Sequence, residues 1–313
     1  MTADLDHLPI TILGAGLIGI GWAALFAHHG ARVTLWDPQP EALKTAPDRL
    51  AKPRADLTEL DGHGPRGDIH YASDLATALR EPALIQENAP ESIPVKHALY
   101  AEIETLAPPE AILASSTSSL TWDDLAPGLT DPQRLITAHP FNPPHLVPLV
   151  ELYGPDPARL DRAEALYRAA GRVPVRLNIP ATGHIANRLA SALWREAVHI
   201  VAEGIADVEA VDRALMHGPG LRWSVLGAHM AYHLGGGAGG IAGYLDHLGP
   251  SQERRWQDLG TPRLSPEIKD TLIAGVATAC AGRDIATLEA ERDAALIALL
   301  RARAKPQSPK PQT

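Results

Sequence analysis

The stretch Leu13-Gly14-Ala15-Gly16-Leu17-Ile18-Gly19 constrains the fold more than any other part of the chain. It follows a short apolar run, Pro9 to Leu13, and opens a helix-like stretch from Leu17 to His29. A second strand-like run, Ala31 to Trp36, leads into Asp37. Strand, glycine-rich turn, helix, strand and acid in this order make the dinucleotide-binding fingerprint. Gly14 permits the tight turn, Gly16 lets the backbone approach a pyrophosphate, and Gly19 lets the helix pack close to the strand. The helix start at Leu17 and Ile18 offers free N–H groups to phosphate. Asp37 can accept from both hydroxyls of an adenosine ribose. Pro38-Gln39-Pro40 place no Arg beside it for a 2′-phosphate, so the expected cofactor is NAD rather than NADP. The alternative is a glycine-rich turn in a similar fold that has lost its cofactor.

The chain has 313 residues, which suits two domains, and its 45% apolar content can fill a core. A net charge of −9 argues against nucleic acid as a partner. Cys280 is the single cysteine, so no disulfide framework is possible; this suits a reducing cytoplasm. Its apolar surroundings suggest a small core residue. No apolar stretch reaches the roughly 18 residues of a membrane span. The polar start, Met1 to His7, is unlike a signal peptide.

Short apolar runs at 69–71, 83–86, 111–114 and 134–138 alternate with amphipathic stretches at 41–50, 73–79 and 94–106. Ser73 is the expected cap of the second, and Pro53 to Gly67 reads as loop or weak helix. Strands at 146–152 and 173–177 flank a helix from Asp156 to Gly171. This pattern predicts an α/β, Rossmann-type, doubly wound and mostly parallel sheet. From His184 onward the periodicity is helical, at about 184–203, 207–217, 222–233, 265–280 and 284–302, with a glycine-rich break at 235–240. The expected division is therefore a cofactor domain over 1–183, an all-helical C-terminal domain over 184–303, and a disordered tail over 304–313.

Ligands in such sheets sit at the carboxyl ends of strands. Two polar clusters follow strands here: Ser115 to Ser119, and His139-Pro-Phe141-Asn-Pro-Pro144. Glu151 lies inside the apolar run Val147 to Leu152, where a carboxylate needs a partner. His139 is the natural one. Glu151 would fix its tautomer and make its other nitrogen a better base for an alcohol proton. The alternatives are a satisfied core histidine and an edge ion pair. His28, His29, His97, His229 and His233 show no acidic partner or metal-ligand spacing, and no metal site is expected.

The strings His139-Pro-Phe-Asn-Pro-Pro, Leu149-Val-Glu151, Ser116-Thr-Ser-Ser-Leu120 and Ala186-Asn187-Arg188 resemble the 3-hydroxyacyl-CoA dehydrogenase family. The resemblance runs from about 9 to 300. It implies a base at His139, its orienting carboxylate at Glu151, and partners for the reacting oxygen at Ser118 and Asn187. It also implies a cofactor-side acid and lysine at Glu91 and Lys96, and a helical domain that forms a homodimer. Read alone, Ser118 equally fits a helix cap near Trp122, Asn187 a helix start, and Glu91–Lys96 a surface pair. Gly218-Pro-Gly-Leu-Arg222-Trp223 and the glycines at 235–240 resemble the free-acid branch, which includes L-carnitine and L-gulonate 3-dehydrogenases. Of the basic residues after Asp37, only Lys44, Arg49, Lys52 and Arg54 could meet CoA phosphates. Arg222 could clamp a carboxylate, and Trp194, Trp223, Tyr232 or Phe141 could face a trimethylammonium group. Helix-end and core roles fit the same residues. The expected reaction is NAD-dependent oxidation of a small L-3-hydroxy acid, L-carnitine being the leading case. The alternatives are an acyl-CoA substrate, L-gulonate, or a non-catalytic crystallin-like protein.

Overall fold

Parallel strands need crossover connections, and the helices between the apolar runs supply them. The computed structural model describes residues 4–304. In order it has β1 (Pro9–Leu13), α1 (Leu17–His28), β2 (Arg32–Trp36), α2 (Pro40–Asp61), β3 (Ile69–Tyr71), α3 (Leu75–Ala78), β4 (Leu84–Glu87), α4 (Ile93–Leu106) and β5 (Ile112–Ser115). Then come α5 (Trp122–Leu125), β6 (Leu135–Pro140), β7 (Leu149–Tyr153), α6 (Pro157–Ala169) and β8 (Val173–Arg176). The rest is helical: α7 (Ala186–Ala202), α8 (Val208–His217), α9 (Pro219–Trp223), α10 (Ala228–Gly235), α11 (Gly240–Asp258), α12 (Pro266–Cys280) and α13 (Ile285–Ala304).

All eight expected strands form one sheet, in the order β3-β2-β1-β4-β5-β6-β7-β8. The order reverses between β1 and β4, the place where such sheets open a ligand crevice. Every pairing is parallel except β6 with β7. That antiparallel pair sets His139 directly opposite Glu151. The core lies around α1, where Trp22 stacks on Phe26 at 5.4 Å and meets Tyr167 of α6 at 5.5 Å.

The structure differs from expectation in several elements. α2 does not stop near Leu50 but runs through Pro47 and Pro53 to Asp61. Each internal proline costs about 3 kcal/mol. Leu50 and Leu57 are buried on that helix, and each contributes roughly 1.5–3 kcal/mol; Gly62 at φ 81° closes it. The longer helix brings Asp61 to 2.8 Å from His28, so His28 does have an acidic partner. The cap of α3 is Asp74, which accepts from the Thr77 amide, rather than Ser73. α11 forms directly after the glycine-rich break, outside the helical stretches expected from the sequence, and contains Pro250. Its Tyr244 ring lies 4.9 Å from Tyr232 of α10, and a side chain at Gly236 would collide with the Gly240 carbonyl. Cys280 ends α12 half-buried rather than in a core.

The chain forms two compact units: one up to Arg188 together with Glu291 onward, the other Leu189–Ala290. The second half of α13 thus groups with the sheet. There Lys52 of α2 bridges Asp56 at 2.8 Å and Asp293 at 2.6 Å. Of the expected tail, 305–313 lies outside the described residues, and Ala304 ends α13. No helix among the described residues is long and apolar enough to cross a membrane.

Candidate active site

The turn after β1 is built around backbone approach. Gly14 adopts φ 94°, and a side chain on it would come within 2.8 Å of the Asn88 carbonyl. A side chain on Gly19 would strike the Gly14 carbonyl at 1.8 Å. A side chain on Gly16 would meet nothing within 4 Å, so open space faces the N-terminus of α1 at this point. No side chain caps that helix, which leaves its first N–H groups for a ligand. Leu17 is exposed there, and Ile18 packs on the core. Asp37 accepts from the Ala15 amide at 2.7 Å and the Gln39 amide at 2.9 Å, one on each oxygen. A carboxylate oxygen has a second lone pair, so this leaves acceptor capacity for a ribose. Arg49 of α2 donates to the Ala15 carbonyl at 2.6 Å, a neighbour of the turn that local spacing could not reveal. These features fit NAD.

Glu91 folds the next loop. Its Oε1 accepts from the Thr117 hydroxyl at 2.7 Å and from the amides of Ser118 at 2.8 Å and Ser119 at 2.7 Å. Burial raises its proton affinity, but those hydrogen bonds and the Lys96 charge outweigh burial and bring the pKa to about 2. Lys96 is not half of a surface pair. It is buried, 2.7 Å from Glu87 and 3.8 Å from Glu91. Glu87 was missed from the sequence; it is fully buried and also accepts from Tyr100 at 2.8 Å and Ser115 at 2.7 Å. The helix near Trp122 is capped by Thr121 in a reciprocal pair with Asp124, not by Ser118.

At the end of β6 the His139 Nδ1 lies 2.8 Å from Glu151 Oε2. Glu151 Oε1 accepts from the amides of Ile185 at 2.8 Å and Ala186 at 2.9 Å. Burial pushes the Glu151 pKa up, yet the His139 bond and these two amides prevail and hold it below the ordinary value. The carboxylate is therefore charged at neutral pH, and it holds the Nδ1 proton of His139. The other nitrogen, Nε2, lies 3.5 Å from the Asn187 amide nitrogen. Asn187 donates to the Ser118 carbonyl at 3.3 Å. The Ser118 hydroxyl is 3.4 Å from Glu91. Phe141 sets its ring edge-on to His139 at 6.0 Å.

His139, Glu151, Ser118, Asn187 and Phe141 are thus brought together. Arg222 and Trp223 lie on α9 in the other unit, both exposed, with Trp223 38% accessible. His184 also went unnoticed in the sequence. It stacks on His139 at 4.8 Å, and only its proximity to Asn187 in the chain hinted at it. No group of three or more His, Cys, Asp or Glu among the described residues could hold a metal ion.

A model of the 3-hydroxyacyl-CoA dehydrogenase NAD-binding domain matches residues 9–179, and that of the C-terminal domain of the same family matches 183–261. The L-carnitine dehydrogenase of Nocardiopsis dassonvillei is 41% identical over 301 residues, covering 94% of this chain and 91% of that one. The Streptomyces coelicolor L-carnitine dehydrogenase is 40% identical over 307 residues, covering 96% of each. Among solved structures, 5-formyl-3-hydroxy-2-methylpyridine 4-carboxylic acid 5-dehydrogenase, described as an NAD+-dependent dismutase, superposes with a TM-score of 0.82. It shares 27% identity over 96% of this chain and 99% of that one.

Proposed function

Because this chain belongs to the 3-hydroxyacyl-CoA dehydrogenase family and is an NAD-dependent dehydrogenase, we propose that it oxidises a small free L-3-hydroxy acid, L-carnitine, to the 3-oxo acid. The observation that carries the reading is the His139–Glu151 pair with Asn187 beside the free ring nitrogen. It sits in a chain alike over nearly its whole length to L-carnitine dehydrogenases. NAD held by Gly14, Gly16, Gly19 and Asp37 supplies the hydride acceptor.

The protein's own part is proton handling and orientation. His139 Nε2 takes the hydroxyl proton of the substrate. Glu151 keeps the Nδ1 proton in place and balances the positive ring that results. Asn187 and Ser118 hold the reacting oxygen. Glu91 and Lys96 shape the loop at 117–120 on the cofactor side. By chemistry, Arg222 takes the substrate carboxylate and Trp223 or Phe141 the trimethylammonium face.

The basic residues that CoA phosphates would need are largely engaged: Lys44 on Glu41, Lys52 on Asp56 and Asp293, Arg49 on the Ala15 carbonyl. This favours a free acid over a thioester. In the same reading the sheet region over 1–183 carries the cofactor. The helical region over 184–303 serves substrate and homodimer contacts, and the enzyme works in the cytoplasm.

The test is NADH formation at alkaline pH with L-carnitine, D-carnitine, L-3-hydroxybutyrate, L-gulonate and L-3-hydroxybutyryl-CoA. Turnover of L-carnitine is expected. Turnover of the thioester alone would overturn the free-acid reading. NADH binding without turnover of any of the five would favour a non-catalytic role.

A further inference from the structure

We propose that His184 is a positioning residue for the base: an uncharged imidazole stacked flat on His139, holding the plane in which that ring can serve. The proposal rests on the function assigned above to His139. The two rings lie 4.8 Å apart and 18° from parallel. His184 is buried, with 2% of its surface accessible. Its Nε2 is 3.2 Å from the Thr117 carbonyl. A carbonyl can only accept, so Nε2 carries the proton and the tautomer of the neutral ring is fixed. Thr117 is itself fixed through its hydroxyl on Glu91.

The backbone at His184 is left-handed, φ 48°, a conformation that a non-glycine residue holds only where its surroundings enforce it. The next three residues complete the grip. Ile185 and Ala186 donate to Glu151, and Asn187 faces Nε2 of His139. Four consecutive residues thus hold the face of the ring, its carboxylate and its working nitrogen.

The charge of His184 matters because the reaction places a proton on His139. A positive ring stacked on it at that moment would oppose the transfer. The groups facing His184 are His139 from β6, Glu151 from β7 and Glu91 from the loop after β4. Burial lowers its proton affinity most, and the His139 charge lowers it further. The Thr117 bond and the two carboxylates pull the other way without prevailing.

The test has two arms. In steady-state oxidation, His184→Phe keeps a flat neutral ring and should retain kcat within about threefold. His184→Ala removes the face and should lower kcat about tenfold or more, with KM and NADH affinity little changed. The second arm needs no turnover: 15N imidazole spectra of the free protein. His184 should be the Nε2–H tautomer and titrate below 6.5. In His139→Gln its midpoint should rise while staying below that value. Equal kcat in wild type and His184→Ala would overturn the proposal. So would a Phe variant as impaired as the Ala one, or a His184 midpoint unmoved in His139→Gln. Loss of turnover by the wild type on every substrate overturns the function assigned above, and the spectra still decide whether the stacked neutral ring exists.

Discussion

Glu151 serves three donors with two oxygens. One takes the His139 ring N–H, the other the amides of Ile185 and Ala186. Glu151→Gln replaces the charge that balances a protonated ring and turns one acceptor into a donor. It should lower kcat by about 10²-fold or more while NADH affinity stays near wild type. An unchanged rate in steady-state assays would show that the pair is only structural. The two side chains were legible beforehand because a carboxylate in the apolar run Val147 to Leu152 has to find a partner. The sequence did not disclose that antiparallel pairing sets Glu151 opposite His139, nor that backbone amides from past residue 180 complete its shell. Those donors carry no side-chain signature.

At the scale of the element, the loop 117–120 has little regular structure of its own and is gathered around one carboxylate. Glu91 holds it through Thr117, Ser118 and Ser119, and the loop carbonyls in turn hold His184 and Asn187. The Glu91 pKa is lowered from 4.5 to about 2 on folding. A depressed carboxylate stabilises the fold above its unfolded pKa and loses that contribution as pH falls through the folded one. Glu91→Gln should therefore unfold more easily than wild type at neutral pH. The gap should narrow as pH drops from about 4.5 toward 2, and denaturant melts across that window check it. A gap independent of pH would mean the carboxylate charge is not what holds the loop. Strands were readable because each is a short apolar run between turn residues. α2 beyond Leu50 was not, because Pro53 is a local signal that tertiary packing overrides, and α11 lay outside the periodic stretches. The error on α2 also hid the His28–Asp61 pair, since Asp61 meets His28 only when that helix continues.

Across the whole molecule the two units differ in how they treat apolar surface. The unit holding the sheet buries two apolar clusters, one around Trp22 and Phe26 and one around Tyr100 and Ile103. In Leu189–Ala290 the only buried apolar side chains among the described residues are Val198, Ala231 and Tyr244. Leu189 is 67% exposed, Trp194 56% and Ile273 67%. So little burial in a helical unit of this size leaves these faces suited to a partner surface. The homodimer proposed above supplies one, and a stable interface needs about 800 Å² from each copy. Sedimentation equilibrium of the wild type should give twice the chain mass. Trp194→Asp combined with Ile273→Asp should shift it toward the single chain and lower its melting temperature, because a desolvated carboxylate in an apolar interface is unpaired. A wild type that sediments as one chain would end the homodimer proposal. A variant that stays dimeric would move the interface away from α7 and α12. Turnover by the separated variant, measured on the same samples, then decides whether the site at His139 needs the second copy or only the stability it brings.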